Sequence, residues 1–226
     1  VGTILTPLNG DQSFGMDNQI IQNVTISGCV EVHANNVVIK NSRILANGCF
    51  YGVRNFGAGL IISDTEITCG GGNGTGVTAT DYTVIRANIH HCENGFNVGG
   101  NVTIRDTYFH DGTTANGAHT DGIQMNQGAA NILVQHNTLI TPTPGGTSAI
   151  IMWDEGDPQN SNVTIRNNFL IGGTYTLYCP RNNATNIFIT DNRFGEFEFG
   201  NTNGCVPGHV TTFTGNFRDD NTPLDS

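Results

Sequence analysis

Basic residues are scarce in this chain. Nine Lys and Arg stand against 19 Asp and Glu, and charged residues make up only 12% of the 226. No basic cluster exists, so no nucleic-acid partner is expected. An acidic polysaccharide would also be repelled at long range, unless local Arg or Lys or a bound cation reverses the field. No run of about 18 apolar residues occurs, so no membrane-spanning helix is expected. The six cysteines form no C-x-x-C pair, which removes zinc-knuckle and thioredoxin chemistry. G-x-S-x-G, P-loop and Rossmann patterns are missing as well. The opening "VGTILTPLNG" has neither a basic n-region nor an apolar core, so an exported protein would already have lost its signal peptide.

What is present is glycine, 30 of them, with abundant Asn and Thr, types that disfavour helix interiors. An even cysteine number in such a chain fits disulfides in an oxidising compartment. The intervals 29 to 49, 69 to 92 and 179 to 205 are each about one repeat long, which makes Cys29–Cys49, Cys69–Cys92 and Cys179–Cys205 the natural pairs, although spacing leaves other connectivities open. Sequons at Asn23, Asn73, Asn101, Asn162 and Asn183 read first as turn asparagines.

A repeat runs through the chain: "NVTISG", "NVVIKN", "GLIISD", "YTVIRA", "NVTIRD", "NILVQH", "NVTIRN" and "NIFITD". Anchored on Ile39, Ile62, Val84, Ile104, Val134, Ile165 and Ile189, the position five later is always apolar, from Ile44 to Phe194. The position three later is a polar ladder (Ser42, Thr65, Ala87, Thr107, Asn137, Asn168, Asn192), with alanine as its one exception. A third short run completes each unit: "YGVRN", "TGVTA", "NGFNV", "DGIQM", "SAIIM" and "TLYC". Three short strands per repeat, too small to bury an apolar face alone, predict an all-β three-sided solenoid of about eight coils. Residues 1–22 are expected to cap its first coil, 23–217 to form the coils, and 218–226 to be a loose tail.

With these residues in place, the chain resembles the right-handed parallel β-helix proteins of the pectate-lyase-like superfamily. More narrowly it resembles secreted microbial members with an H-[ST]-D-G-I-Q rung, here His119 to Gln124. The resemblance covers residues 23 to about 217 and implies the fold far more than an activity. It implies an extracellular, monomeric protein whose partner is a polysaccharide, with calcium as a cofactor option on Asp111, Asp121 and Glu93.

The long repeats beginning at 101 and 131 place loops side by side, and such loops wall binding faces. His90, His91, His110 and His119 gather there, with His90 and His110 in the same register position. His–carboxylate pairs suit acid/base work, and a zinc or manganese site on His90, His110 and His119 is a further option. Asp121 either orients His119 or caps backbone N–H groups in a polar column with Thr75, Asn94 and Ser148. Arg105, Gln135 and Arg166, with His136 at the turn, form a cationic strip that could hold a uronate carboxylate or simply solvate a sheet. Trp153, beside Asp154 and Glu155, offers a stacking platform for sugar or a seal over the core.

The leading expectation is a polysaccharide lyase acting by β-elimination. His119 is its base, Asp121 orients it, Gln124, Arg105 or a bound cation neutralises the uronate, and His110 is a reserve acid/base. Arg105, Trp153, Asp154, Arg166 and His136 bind substrate. The alternatives are a glycoside hydrolase using two of Asp121, Asp154, Glu155 and Asp111, and a non-catalytic glycan-binding module.

Overall fold

A computed structural model describes residues 4–152, 159–180 and 184–224. Trp153, Asp154, Glu155 and the sequon Asn183 lie outside the described residues. Each turn of the chain visits three faces. Face one is a ten-stranded parallel sheet that begins with Thr6–Asn9 and Val24–Ser27 and ends with Phe217–Arg218. Face two includes Gln12–Phe14, Val30–Val32, Tyr51–Asn55, Thr75–Ala79, Gly146–Met152 and Tyr175–Tyr178. Face three includes Val38–Lys40, Leu60–Ser63, Tyr82–Ile85, Ser161–Arg166 and Thr185–Thr190. In the two longest strands, Asn94–Arg105 and Thr120–Gln135, the chain passes from face two to face three without a break. The named strands pair in parallel with the turns next to them, on both sides except at the two ends, so the fold is a parallel β-helix.

The seven anchor residues and the seven apolar residues five positions later are all fully buried and stack along one interior. Parallel stacking at about 4.8 Å per rung turns a short motif into a continuous core, because each side chain meets its counterpart above and below. The polar ladder lies at the corner from face three to face one. There Thr107, Asn137, Asn168 and Asn192 each accept, through the side-chain oxygen, the backbone N–H of the ladder residue before it, and Asn216 closes the series. The three disulfides form as the repeat spacing suggested, each joining adjacent turns. Two sit at the corner from face one to face two, and Cys179–Cys205 follows face two.

Two boundaries differ from expectation. Residues 6–22, expected to be a cap, supply strands to all three faces, because Phe14 and Ile21 continue the buried columns. The tail also docks: the Leu224 N–H donates to the Asn216 carbonyl, and the Leu224 side chain packs on the core. Asn23, Asn101 and Asn162 adopt positive φ at their turns, as their reading as turn residues requires. Asn101 and Asn162 also belong to an exposed ladder with Asn131 and Asn186. Among the described residues, no helix is long and apolar enough to cross a membrane.

Candidate functional site

The H-T-D-G-I-Q stretch crosses from the corner onto face two, and each residue does something different. Thr120 is buried, its hydroxyl donating to the Thr113 carbonyl. This bond and the Thr113 N–H to the Cys92 carbonyl fold the 111–119 insertion against the coil. Gly122 does not need its conformational freedom. A Cβ there would lie 2.5 Å from the Ala149 carbonyl oxygen and 3.3 Å from the Leu139 Cβ. Gly52, Gly76 and Gly95 stand in the same close-packed column on earlier turns, each facing the next turn's carbonyl. Gly122→Val is therefore expected to cost several kcal/mol, about 3, and to lower the thermal midpoint. An unchanged midpoint would show that the column has slack. Ile123 enters the core, and Gln124 points out of face two.

Asp121 is the unusual group. It is only 2% exposed. Burial pushes its carboxyl up to about 7; hydrogen bonds from Ser148 oppose that shift, and the charge of Glu93 adds to it. Its Oδ1 accepts the Ser148 hydroxyl, and its N–H donates to Asn94 Oδ1 at 3.0 Å. Asn94 Nδ2 then donates to Gln124 Oε1 at 3.1 Å, with Asn97 Nδ2 at 3.5 Å from the same oxygen. The outward row of face two continues from Asn97 to Gln124, Ile151 and Tyr178 on successive turns. Burial, then Tyr175 and Asp121, holds the Tyr178 hydroxyl above its ordinary value. Thr114, in the insertion, lies against Gly145 of the next long loop, so the two loops stand side by side as their lengths suggested.

The solenoid separates several residues that the sequence grouped together. The expected Asp121–His119 pair does not form. The Asp121 carboxyl is turned to the next rung, and His119 is exposed, donating its backbone N–H to Glu93 Oε1 at 2.9 Å. Arg105, Arg166 and His136 lie at the far end of face three, so they do not share one sugar with Gln124. Arg105 pairs with Asp106, Arg166 donates to Gln135, and His136 Nδ1 lies 2.7 Å from Asp106. Register explains this: Arg105 and Gln124 are on neighbouring turns, but on different faces.

His90 and His110 do stack, with ring centroids 5.1 Å apart. Their nitrogens are engaged separately. His90 meets His91 and Glu66, whereas His110 meets Asp111 at 2.7 Å and Asn88 at 2.9 Å. Burial would raise Glu66, but the bonds from Arg43 and His90 bring it below its ordinary value. The calcium set disperses in the same way: Asp111 faces His110, Asp121 faces Ser148, and Glu93 faces a backbone N–H. These donors do not fit a shared cation. Asp11, Cys29 and Cys49 cluster closely, but both sulfurs belong to one disulfide.

Neither protein-family models nor curated proteins give a match to this chain. Solved structures do. An alginate lyase from Paenibacillus sp. str. FPU-7 superposes with a TM-score of 0.62 at 15% identity, covering 92% of this chain and 85% of that one. A mutant tailspike protein of E. coli bacteriophage HK620, in complex with a pentasaccharide, has a TM-score of 0.66 at 9% identity. That match covers 91% of this chain and 43% of the tailspike. A double mutant of the same tailspike, also with pentasaccharide, has a TM-score of 0.67 at 10% identity and covers 93% and 44%. The chain thus spans less than half of the tailspike's length. At these identities the shared property is the β-helix itself.

Tyr178 and Asn97 escaped the sequence reading. Each is an ordinary polar residue in a strand, and only the pairing Asn97–Gln124–Ile151–Tyr178 shows that they share a surface. Counting from Gln124 to the equivalent position of each third-strand run would have found both.

Proposed function

We propose that this chain is a secreted carbohydrate-active protein, and specifically a polysaccharide lyase that cleaves a uronate-containing glycan on face two by β-elimination. The observation that carries this reading is the amide cluster in which the buried Asn94 and the outward Asn97 both hold Gln124, beside a carboxyl held near 7. Amides can receive a sugar carboxylate without a counter-charge. The two asparagines hold the Gln124 oxygen, which leaves its N–H end as the donor end. Below about 7 Asp121 is largely neutral and does not repel an anionic sugar.

Three groups then divide the reaction. The amides stabilise the enolate that develops when C5 loses its proton. The exposed His119 imidazole takes that proton. As the C4–O bond breaks and the C4–C5 double bond forms, Tyr178, kept protonated by its burial, supplies a proton to the departing oxygen. Asp121 touches no reacting atom. It is a positioning residue that locks Asn94 and Ser148 on adjacent turns. The disulfides and the fold shared with a lyase and a glycan-bound tailspike support an extracellular, glycan-directed role.

A second reading has its own observation. The charge of Glu93 helps to raise the Asp121 carboxyl, and a carboxyl raised beside a second carboxylate is what a glycoside hydrolase uses as its acid. One assay separates the two. Alginate, pectate and neutral glycans are incubated with the protein, and both the ultraviolet absorbance of an unsaturated uronate and the new reducing ends are followed. The lyase reading expects both signals from a uronate polymer. Reducing ends without absorbance would replace it with hydrolysis, and binding without either signal would leave a glycan-binding module. His119→Ala is expected to lower turnover at least a hundredfold. A folded variant with full activity would remove His119 from the mechanism.

A further inference from the structure

Face two carries a second feature, at its N-terminal end. A cavity of about 450 Å³ opens there, lined by Gln12, Glu31, Phe50, Tyr51 and Arg54 among others. Phe50 is 82% exposed, the most exposed phenylalanine among the described residues, with Phe199 next at 66%. Its position is fixed, because it follows Cys49, and the Cys29–Cys49 disulfide ties that corner to the turn below. The Arg54 guanidinium lies over two rings, 5.2 Å from the Tyr51 centroid and 4.6 Å from the Phe56 centroid. Phe56 in turn stacks on His33 at 4.5 Å. Among the described residues, Arg54 has no carboxylate within ion-pair distance. Glu31, its neighbour across the sheet, is paired with His33 instead.

Register links this cavity to the candidate site. Arg54 pairs with Thr78, Thr78 with Asn97, and Asn97 with Gln124, so Arg54 stands three rungs, about 14 Å, from Gln124 in one straight outward row. An exposed ring flanked by a cation, an acid and an amide is the chemistry of a pyranose site. The ring takes the apolar face of a sugar, and the polar groups take its hydroxyls.

We propose that the Phe50–Tyr51–Arg54 cavity is a remote sugar subsite that holds a distal pyranose of the same glycan chain whose scissile unit lies at Gln124. The proposal rests on the face-two reading above. It adds a minimum length: only an oligosaccharide long enough to span three rungs engages both ends, and a shorter one loses the gain from linked contacts.

The test is calorimetric binding of short and long alginate oligosaccharides, with cello-oligosaccharides as the neutral series. The proteins compared are the unmodified chain, Phe50→Ala and Arg54→Ala. The expected result is about a tenfold weaker Kd for long oligomers in each variant, with short oligomers unaffected. Equal losses at every length, no loss at any length, or no binding by the unmodified protein would overturn the subsite. Turnover is read separately by absorbance. Length-dependent binding without product would keep the subsite and sink the lyase. Product formation that ignores Phe50 and Arg54 at every chain length, with binding equally indifferent, would do the reverse.

Discussion

Asp121→Asn is expected to raise the thermal midpoint by several degrees above pH 7, by less at roughly pH 5, and to change it little only at about pH 3.5 and below. The sign follows from the direction of the shift. The folded carboxyl is raised from the ordinary 3.8 to about 7, so the folded state binds the proton more tightly than the unfolded chain does. That stabilisation is fully present below 3.8 and is lost as the pH rises through about 7, where burial comes to hold a charge. Asparagine keeps the shape and an acceptor for the Ser148 hydroxyl, but it has nothing to ionise. The difference reaches at most about 4 kcal/mol well above neutrality. Identical pH–stability curves for the two proteins would show that Asp121 is already ionised in the fold.

The same variant separates the two enzymatic readings. If Asp121 is a positioning residue, Asp121→Asn retains turnover within about tenfold, and its KM for a uronate polymer no longer climbs as the pH passes 7. If Asp121 is a hydrolytic carboxylate, turnover falls by about a thousandfold or more while KM stays in place. Initial rates across pH, with both signals recorded, decide between these outcomes.

The architecture was legible because a solenoid writes its period into the chain. Buried anchors, apolar partners and the asparagine ladder recur at fixed offsets, and parallel stacking requires like to meet like. The same logic gave the disulfide pairs and the His90–His110 stack. It was weaker for the site, for a physical reason. Offsets show which residues share a rung, but they do not show how the side chains turn at a corner. Asp121 and His119 are two residues apart, yet one is buried toward Ser148 and the other exposed. Arg105 looked like an alternative to Gln124 for the same carboxylate, but the strands Asn94–Arg105 and Thr120–Gln135 cross two faces each and leave the two residues on different faces. The first turn was missed because its strands lack the N-V-x-I signature, although Phe14 and Ile21 fill the same columns.

The largest loss of stability is expected from the middle of the buried ladder. Asn168 accepts the Asn137 N–H at 2.9 Å and its side-chain amide at 3.0 Å, and it donates to the Val134 and Arg166 carbonyls. Asn168→Ala leaves these groups buried without partners, at a cost of about 3 kcal/mol or more. For a chain of this size that lowers the thermal midpoint by roughly 10 °C. Neighbouring rungs hold each other through local contacts, so the break also divides the cooperative unit, and unfolding should broaden or split into two steps. Asn131→Gly is the control. Asn131 belongs to the exposed ladder at a φ of 59°, which glycine keeps without strain, water replaces the lost bonds, and the cost should stay below about 1 kcal/mol. Calorimetry of both variants measures burial rather than asparagine content. Equal, small losses would mean that the side-chain ladder adds little to the backbone pairing, and that stacking of the apolar columns alone holds the turns in register.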